Sequence, residues 1–283
     1  MAEATAADPR VPVLMYHAVA ADPKDATRDL SVTPGAFAAQ MALIADRGLT
    51  PVTTATLAAA WRGEGPLPKR PVLITFDDGY EGVHRHALPV LAAHGFPATV
   101  FVTTGWLRGP YDTGGALDTM LDWGQARELA AAGVEIGGHS HTHPQLDQLG
   151  DGRLRFELIH GKEIIADQVG TVPVSFAYPY GYSDRRVRRA VRETGYAQAL
   201  AVGNALSRRR QGPYALRRVT VRRATGPEAF ARLVEGRALT RAYARDRALT
   251  KGYAVVRGAR RMGGRVRDLP GVPRGRGVVD GGR

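Results

Sequence analysis

Two short segments of the chain hold residue types suited to hydrolysis. Thr75-Phe76-Asp77-Asp78-Gly79-Tyr80 sets two adjacent carboxylates at the end of an apolar run. Gly138-His139-Ser140-His141-Thr142-His143-Pro144, about sixty residues later, clusters three imidazoles. Two Asp and at least two His are the ligand and base inventory of a hydrolytic metal site. Neighbouring carboxylates repel unless a cation or a shared proton relieves them; the alternative is an Asp pair that caps the next helix. Among the histidines, a spacing of two shares a strand face and a spacing of four shares a turn or helix face. Gly137-Gly138 and Pro144 favour an irregular turn, which selects His139 and His143 and leaves His141 as a neighbour; a regular strand would add His141. The chain has no cysteine, so a metal here must be held by imidazole and oxygen.

A third segment, Ser175-Phe176-Ala177-Tyr178-Pro179-Tyr180-Gly181-Tyr182, gathers three tyrosines around a Pro and a Gly. It reads either as aromatic packing at a turn, or as a rigid turn that aims a backbone N–H at a developing oxyanion while the rings line a sugar-sized groove. The elements that must position these segments follow from periodicity. Apolar runs at 11–16, 50–53, 71–76, 98–102, 134–136, 174–178, 197–201 and 215–221 read as strands, with helical patterns at 34–47, 55–61, 83–94, 123–132, 152–169, 184–194 and 227–236. Apolar strands alternating with amphipathic helices predict a parallel sheet covered by helices, closed as a (β/α) barrel or open and doubly wound. In either, ligands bind beyond the carboxyl ends of the strands, where Asp77-Asp78, His139–His143 and Pro179-Tyr180 all fall.

The length of 283 residues and 44% apolar content fit one domain with a tail. The expected boundaries are a flexible stretch at 1–10, a catalytic domain at 11–240 and a disordered Arg/Gly-rich tail at 241–283. The formal charge of +12 is concentrated toward that tail, which suggests contact with anionic surfaces rather than a nucleic-acid-binding face. The first residues lack a basic start followed by an apolar run, and no segment approaches the ~20 apolar residues of a membrane span. The expectation is a cytoplasmic protein, or an exported one if the start codon is mis-assigned.

From about Val11 to Val221 the sequence resembles the polysaccharide deacetylases of carbohydrate esterase family 4, the nodulation-type chitooligosaccharide deacetylase homology domain. The resemblance is carried by Thr75 to Gly79, by His139-Ser140-His141-Thr142-His143-Pro144, and by Val13-Leu14-Met15-Tyr16-His17 and Phe176 to Gly181. It implies an irregular (β/α)7 barrel that removes N-acetyl groups from an N-acetylated amino sugar in a poly- or oligosaccharide. By the same resemblance Asp77 is the general base. Asp78, His139 and His143 hold a divalent metal, zinc or else Co, Ni or Fe, and the Tyr180 N–H joins in stabilising the oxyanion. Tyr178, Tyr182 and Trp123 are the expected substrate-binding aromatics, with core packing the other reading of Trp123. Two departures concern supporting groups. Many members have Arg where Ala177 stands; Arg217 or Arg218, with Arg218 favoured, would supply that charge from another strand. Many also have a late His as general acid, whereas the final His here is His160, so His17 is the candidate that remains. His84, His86 and His94 read as surface or packing residues. The competing functions are hydrolysis of another non-peptide carbon–nitrogen bond, a noncatalytic glycan-binding module and a nucleic-acid binder acting through the tail.

Overall fold

In the computed structural model, residues 10–246, 248 and 257 are described. The chain divides into two compact units, Met1–Ala244 and Arg245–Arg283. Most of the expected tail, and all of the expected flexible start except Arg10, lie outside the described residues.

The apolar runs form eight parallel strands: β1 Val13–Tyr16, β2 Thr50–Pro51, β3 Pro71–Phe76, β4 Thr99–Val102, β5 Glu135–Gly138, β6 Ser175–Ala177, β7 Gln198–Val202 and β8 Leu216–Thr220. Their order is β1-β8-β7-β6-β5-β4-β3, and β1 also pairs with β3. The sheet is therefore a closed seven-stranded parallel barrel, which decides between the two architectures the periodicity allowed. Two-residue β2 stands outside the ring, paired with the start of β3 at Pro71 and Val72, while β1 pairs with Leu73 to Phe76.

Alternation along each strand sorts the side chains. Val13, Leu73, Phe101, Ala177, Leu200 and Leu216 form one buried cluster, the barrel interior. Leu14, Tyr16, Ile74, Phe76, Val100 and Val102 belong to another, shared with the surrounding helices. The interior is tight: a Cβ on Gly137 would lie 2.6 Å from the Phe101 ring, so only glycine leaves that ring its space.

The helices α1 Pro34–Asp46, α2 Thr54–Arg62, α3 Leu88–His94, α4 Trp123–Ala131, α5 Asp151–Val169, α6 Arg185–Glu193 and α7 Pro227–Val234 fill the crossovers. Their starts are fixed by side chains: Thr33 and Thr53 cap α1 and α2, and Asp122 forms a capping box with Gln125 at α4. The helix predicted at 83–94 begins as a π-helical turn, Val83–Ala87, because Pro89 has no N–H to continue the regular ladder. A short helix, α8 Leu239–Ala242, and the buried Tyr243, whose hydroxyl donates to Thr220 O, extend the folded unit past the boundary expected at 240.

Candidate active site

At the carboxyl end of β3 the chain turns through Asp78 (φ 72°) and Gly79 (φ 95°), a left-handed pair that sends the two carboxylates in different directions. Asp77 keeps the interior parity of Leu73 and Thr75. It meets Arg218 of β8 through two parallel bonds, Nη1 to Oδ1 at 2.6 Å and Nη2 to Oδ2 at 2.7 Å. Arg218 is fully buried, and Nε also donates to Ala201 O. Arg217 points outward and is exposed. Burial alone would raise the Asp77 carboxyl; the Arg218 charge, followed by that of His139, overcomes it and holds the group below the usual carboxylate range.

Asp78 faces the imidazoles instead. Its Oδ1 lies 3.3 Å from His139 Nε2 and 3.3 Å from His143 Nε2, yet meets neither in hydrogen-bond geometry and is a buried acceptor with no hydrogen-bond partner among the described residues. The three ligand atoms lie within 4.8 Å of one another. The two edges at Asp78 match the ~3.3–3.4 Å that separates the donors of a tetrahedral ion with bonds of ~2.0–2.1 Å, so the group could hold a divalent metal. Burial would raise Asp78, but the two histidines overcome it and hold it well below the usual range.

The histidine turn is held from several sides. His139 Nδ1–H donates to Ala177 O at 2.8 Å, which fixes the ring with Nε2 facing Asp78. Ser140 (φ 67°) and His143 (φ 59°) are left-handed, and the Ser140 hydroxyl accepts from His143 N. Glu157, on α5 and fully buried, accepts from His141 N, Thr142 N and the Thr142 hydroxyl, and pairs with Arg153. His141 turns away: Nδ1 bonds Thr104 Oγ1 at 2.9 Å and the ring packs against His160 and Phe156. The His143 ring lies between Trp106 and Tyr180, each with its centroid 4.7 Å away.

Over these groups lies a cavity of about 240 Å³ lined by Asp77, Asp78, His139, His143, His17 and Tyr180, with Leu30 and Leu117 on its outer walls. Its β1–α1 wall is seated on the turn after Tyr80, where a Cβ on Gly82 would fall 2.0 Å from Val19 O. Tyr180 is left-handed (φ 58°) and half exposed at the mouth. His17 has a buried Nδ1 with no hydrogen-bond partner among the described residues; burial pushes the imidazole down against the pull of Asp78 and Asp77.

Two of the expected substrate-binding aromatics are corrected. Tyr178 has the outward parity of Phe176, is fully buried beneath α5 and α6, and donates its hydroxyl to Tyr214 O. Trp123 opens α4 and packs in the outer core against Tyr111. Tyr182 stacks on Tyr180, one ring removed from the cavity. Trp106 and Glu157 were not anticipated. Thr142 and Arg153, the partners of Glu157, are ordinary surface residue types, and only the fold brings them together.

Residues 64–199 match the polysaccharide deacetylase family. Along that stretch, just under half of its length, the chain resembles the family's hydrolases, which act on non-peptide carbon–nitrogen bonds. It is 27% identical over 226 residues to YxkH of Bacillus subtilis, across 80% of this chain and 76% of that one. It is 28% identical over 204 residues to the poly-beta-1,6-N-acetyl-D-glucosamine N-deacetylase of Escherichia coli, spanning 60% of this chain but only 30% of that longer protein. The fold of the Streptococcus pyogenes deacetylase PplD, solved in complex with acetate, superposes with a TM-score of 0.72 at 23% identity, across 80% of this chain and 99% of that one. Among the described residues no helix is long and apolar enough to cross a membrane.

Proposed function

We propose that the protein is a member of this family and a metal-dependent N-deacetylase that releases acetate from an N-acetylated amino sugar within an oligo- or polysaccharide. The observation that carries the reading is the division of labour between adjacent carboxylates. Asp77 is locked to Arg218 and free of the imidazoles, while Asp78 shares its oxygen with His139 and His143. Asp78, His139 and His143 would hold the ion, zinc or a related first-row metal, which when bound supplies Lewis-acid polarisation and a lowered pKa for coordinated water.

Asp77, kept ionised by Arg218, takes the proton of the attacking water as its oxygen bonds the acetamide carbon. The Tyr180 N–H, presented by the turn after Pro179, donates to the carbonyl oxygen as charge builds there. The carbon–nitrogen bond then breaks and the amine takes up a proton. His17 is neutral at rest because burial lowers it, so that proton is the one Asp77 has collected, with His17 lining the same cavity to relay it. A cavity of about 240 Å³ is below the roughly 300–1,000 Å³ of sites that enclose drug-sized ligands. It suits one acetamido sugar, with neighbouring units resting across Tyr180 and Leu117 outside. The substrate named for the Escherichia coli relative is of this class.

The test is acetate release from acetylated monosaccharides, chitooligosaccharides, poly-β-1,6-N-acetylglucosamine and peptidoglycan fragments, with the metal removed and restored. Metal-dependent release from one of the glycans is expected. Release from none of them, or release indifferent to metal, overturns the reading.

A further inference from the structure

Away from the catalytic rim, α6 presents an unusual surface. Five of its nine residues are arginine and only Glu193 is acidic. Arg186 is engaged with Asp151, and Arg188 Nε donates to Ser183. Arg185, Arg189 and Arg192 are exposed and form no ion pair among the described residues. They open onto a concave surface of about 400 Å³ between α6 and the 211–215 stretch ahead of β8.

That groove shares Pro213 and Tyr214 with a second cavity of about 460 Å³ beneath the amino-terminal end of β7, lined by Trp61, Arg62 and Arg209. Tyr214 stands between the two. Its hydroxyl is committed to Tyr196 O, and both Arg192 and Arg62 are near enough to favour its ionised form, although burial dominates and raises it. Trp61 contributes a buried Nε1–H with no acceptor among the described residues. Arg62 is held by Glu64, and the carboxamides of Gln198 and Gln211 also line this path. The polar groups without a partner among the described residues along it are the guanidiniums of Arg185, Arg189 and Arg192 and the Trp61 N–H, donors with no accepting capacity. Their complement is a ligand rich in acceptors and negative charge. The two rings add apolar faces on which a sugar can lie.

We propose that this track is a second binding site, for a glycan strand bearing carboxylate or phosphate groups, and that it holds the protein on an acidic polymer. Two adjoining hollows favour an extended ligand over a single anion. Their concavity favours a strand over a lipid surface, since a planar bilayer reaches the α6 arginines but not Trp61. A nucleic acid would call for a succession of exposed stacking rings along the basic path; here the rings are two and partly enclosed. The site is independent of the catalytic reading, because none of its residues borders the metal cluster.

The experiment titrates oligogalacturonate of defined length into the full-length protein by calorimetry, at two salt concentrations. Parallel titrations use neutral chitooligosaccharide, phosphatidylglycerol vesicles and a single-stranded oligonucleotide. Binding of oligogalacturonate that weakens with salt is expected, falling about tenfold in Arg189→Gln/Arg192→Gln, since two exposed charge pairs together reach the tenfold step. Trp61→Phe, which keeps a ring and removes the N–H, is expected to weaken it several-fold. The charge-matched control Arg85→Gln/Arg127→Gln, on the other side of the barrel, and Asp78→Asn are expected to bind as the unaltered protein does. Equal binding by Arg189→Gln/Arg192→Gln, which would place the affinity in the basic carboxyl-terminal segment, overturns the proposal. So does an equal loss in the charge-matched control, or tighter binding of vesicles or oligonucleotide than of oligogalacturonate.

Discussion

Asp77 and Asp78 are sequence neighbours in opposite environments, and the left-handed Asp78 is what separates them. With Asp77 a fully paired buried anion, Asp77→Asn is expected to cut acetate release by roughly 10²–10⁴-fold, the range of a lost general base. Metal content should be unchanged, as Asp78 and the histidines are untouched. The same change strands Arg218 without its counter-ion, at a cost of about 3–5 kcal/mol. Pairing it with Arg218→Gln should therefore cost less than the sum of the single changes, which denaturant unfolding would reveal. Glu157 offers a second residue-scale case, since both its oxygens accept bonds that fix the histidine turn. Glu157→Gln turns one acceptor into a donor facing N–H groups. Metal affinity measured against a competing chelator should fall by about 10–100-fold, as for other groups that orient ligands; unchanged affinity would reduce Glu157 to a folding role. The acids and imidazoles themselves were legible because few other functions require that spacing. Glu157 and Trp106 were not, since each acts through a partner that is near only after folding.

At the scale of elements, period-two alternation explains both what was readable and what was missed. Leu216 and Arg218 share the inward parity that puts the guanidinium on Asp77, so a strand at 215–221 was enough to favour Arg218 once its inward face was known. The same rule, applied to β6, sends Tyr178 outward with Phe176, and expecting it at the substrate overlooked that parity. Barrel closure was not legible from alternation alone, because β1 must pair with both β3 and β8, a long-range fact no local pattern contains. The barrel's floor yields a prediction of its own. There the start of α2 meets β4 and β5: Ala55 N and the Thr99 hydroxyl donate to Glu135 Oε2, while Oε1 is buried with no hydrogen-bond partner in the geometry of the described residues. Burial raises Glu135, and hydrogen bonds only partly offset it. A carboxyl whose folded value is raised contributes its stability below the ordinary value near 4.5 and loses it as pH rises through the folded value. Glu135→Gln keeps an acceptor without the charge. It should melt higher than the unaltered protein at neutral pH, with the advantage shrinking as pH approaches 4.5; a gap independent of pH would place the effect in packing instead.

For the whole molecule, the Asp78–His139–His143 group that could hold a metal joins strands two apart in the ring. Asp78 follows β3 and His139 follows β5, with β4 between them, and His139 is tied through Ala177 to β6. An ion held there would clip the upper rim across three neighbouring strands and, absent from the unfolded chain, would stabilise the folded one by mass action. At a free concentration about 1,000 times its Kd the gain is about 4 kcal/mol. For a unit of this size each kcal/mol moves Tm by about 2–4 °C, so restoring zinc to chelated protein is expected to raise the transition by roughly 8–16 °C. Asp78→Asn should abolish the rise, because it removes the anionic donor common to both imidazoles. Asp77→Asn should preserve it, since Asp77 is turned toward Arg218 and contributes no ligand atom. Scanning the three proteins with and without zinc thus separates the two carboxylates by a thermal criterion that needs no substrate. If Asp77→Asn abolished the rise as completely as Asp78→Asn, the division of roles between base and ligand would fail.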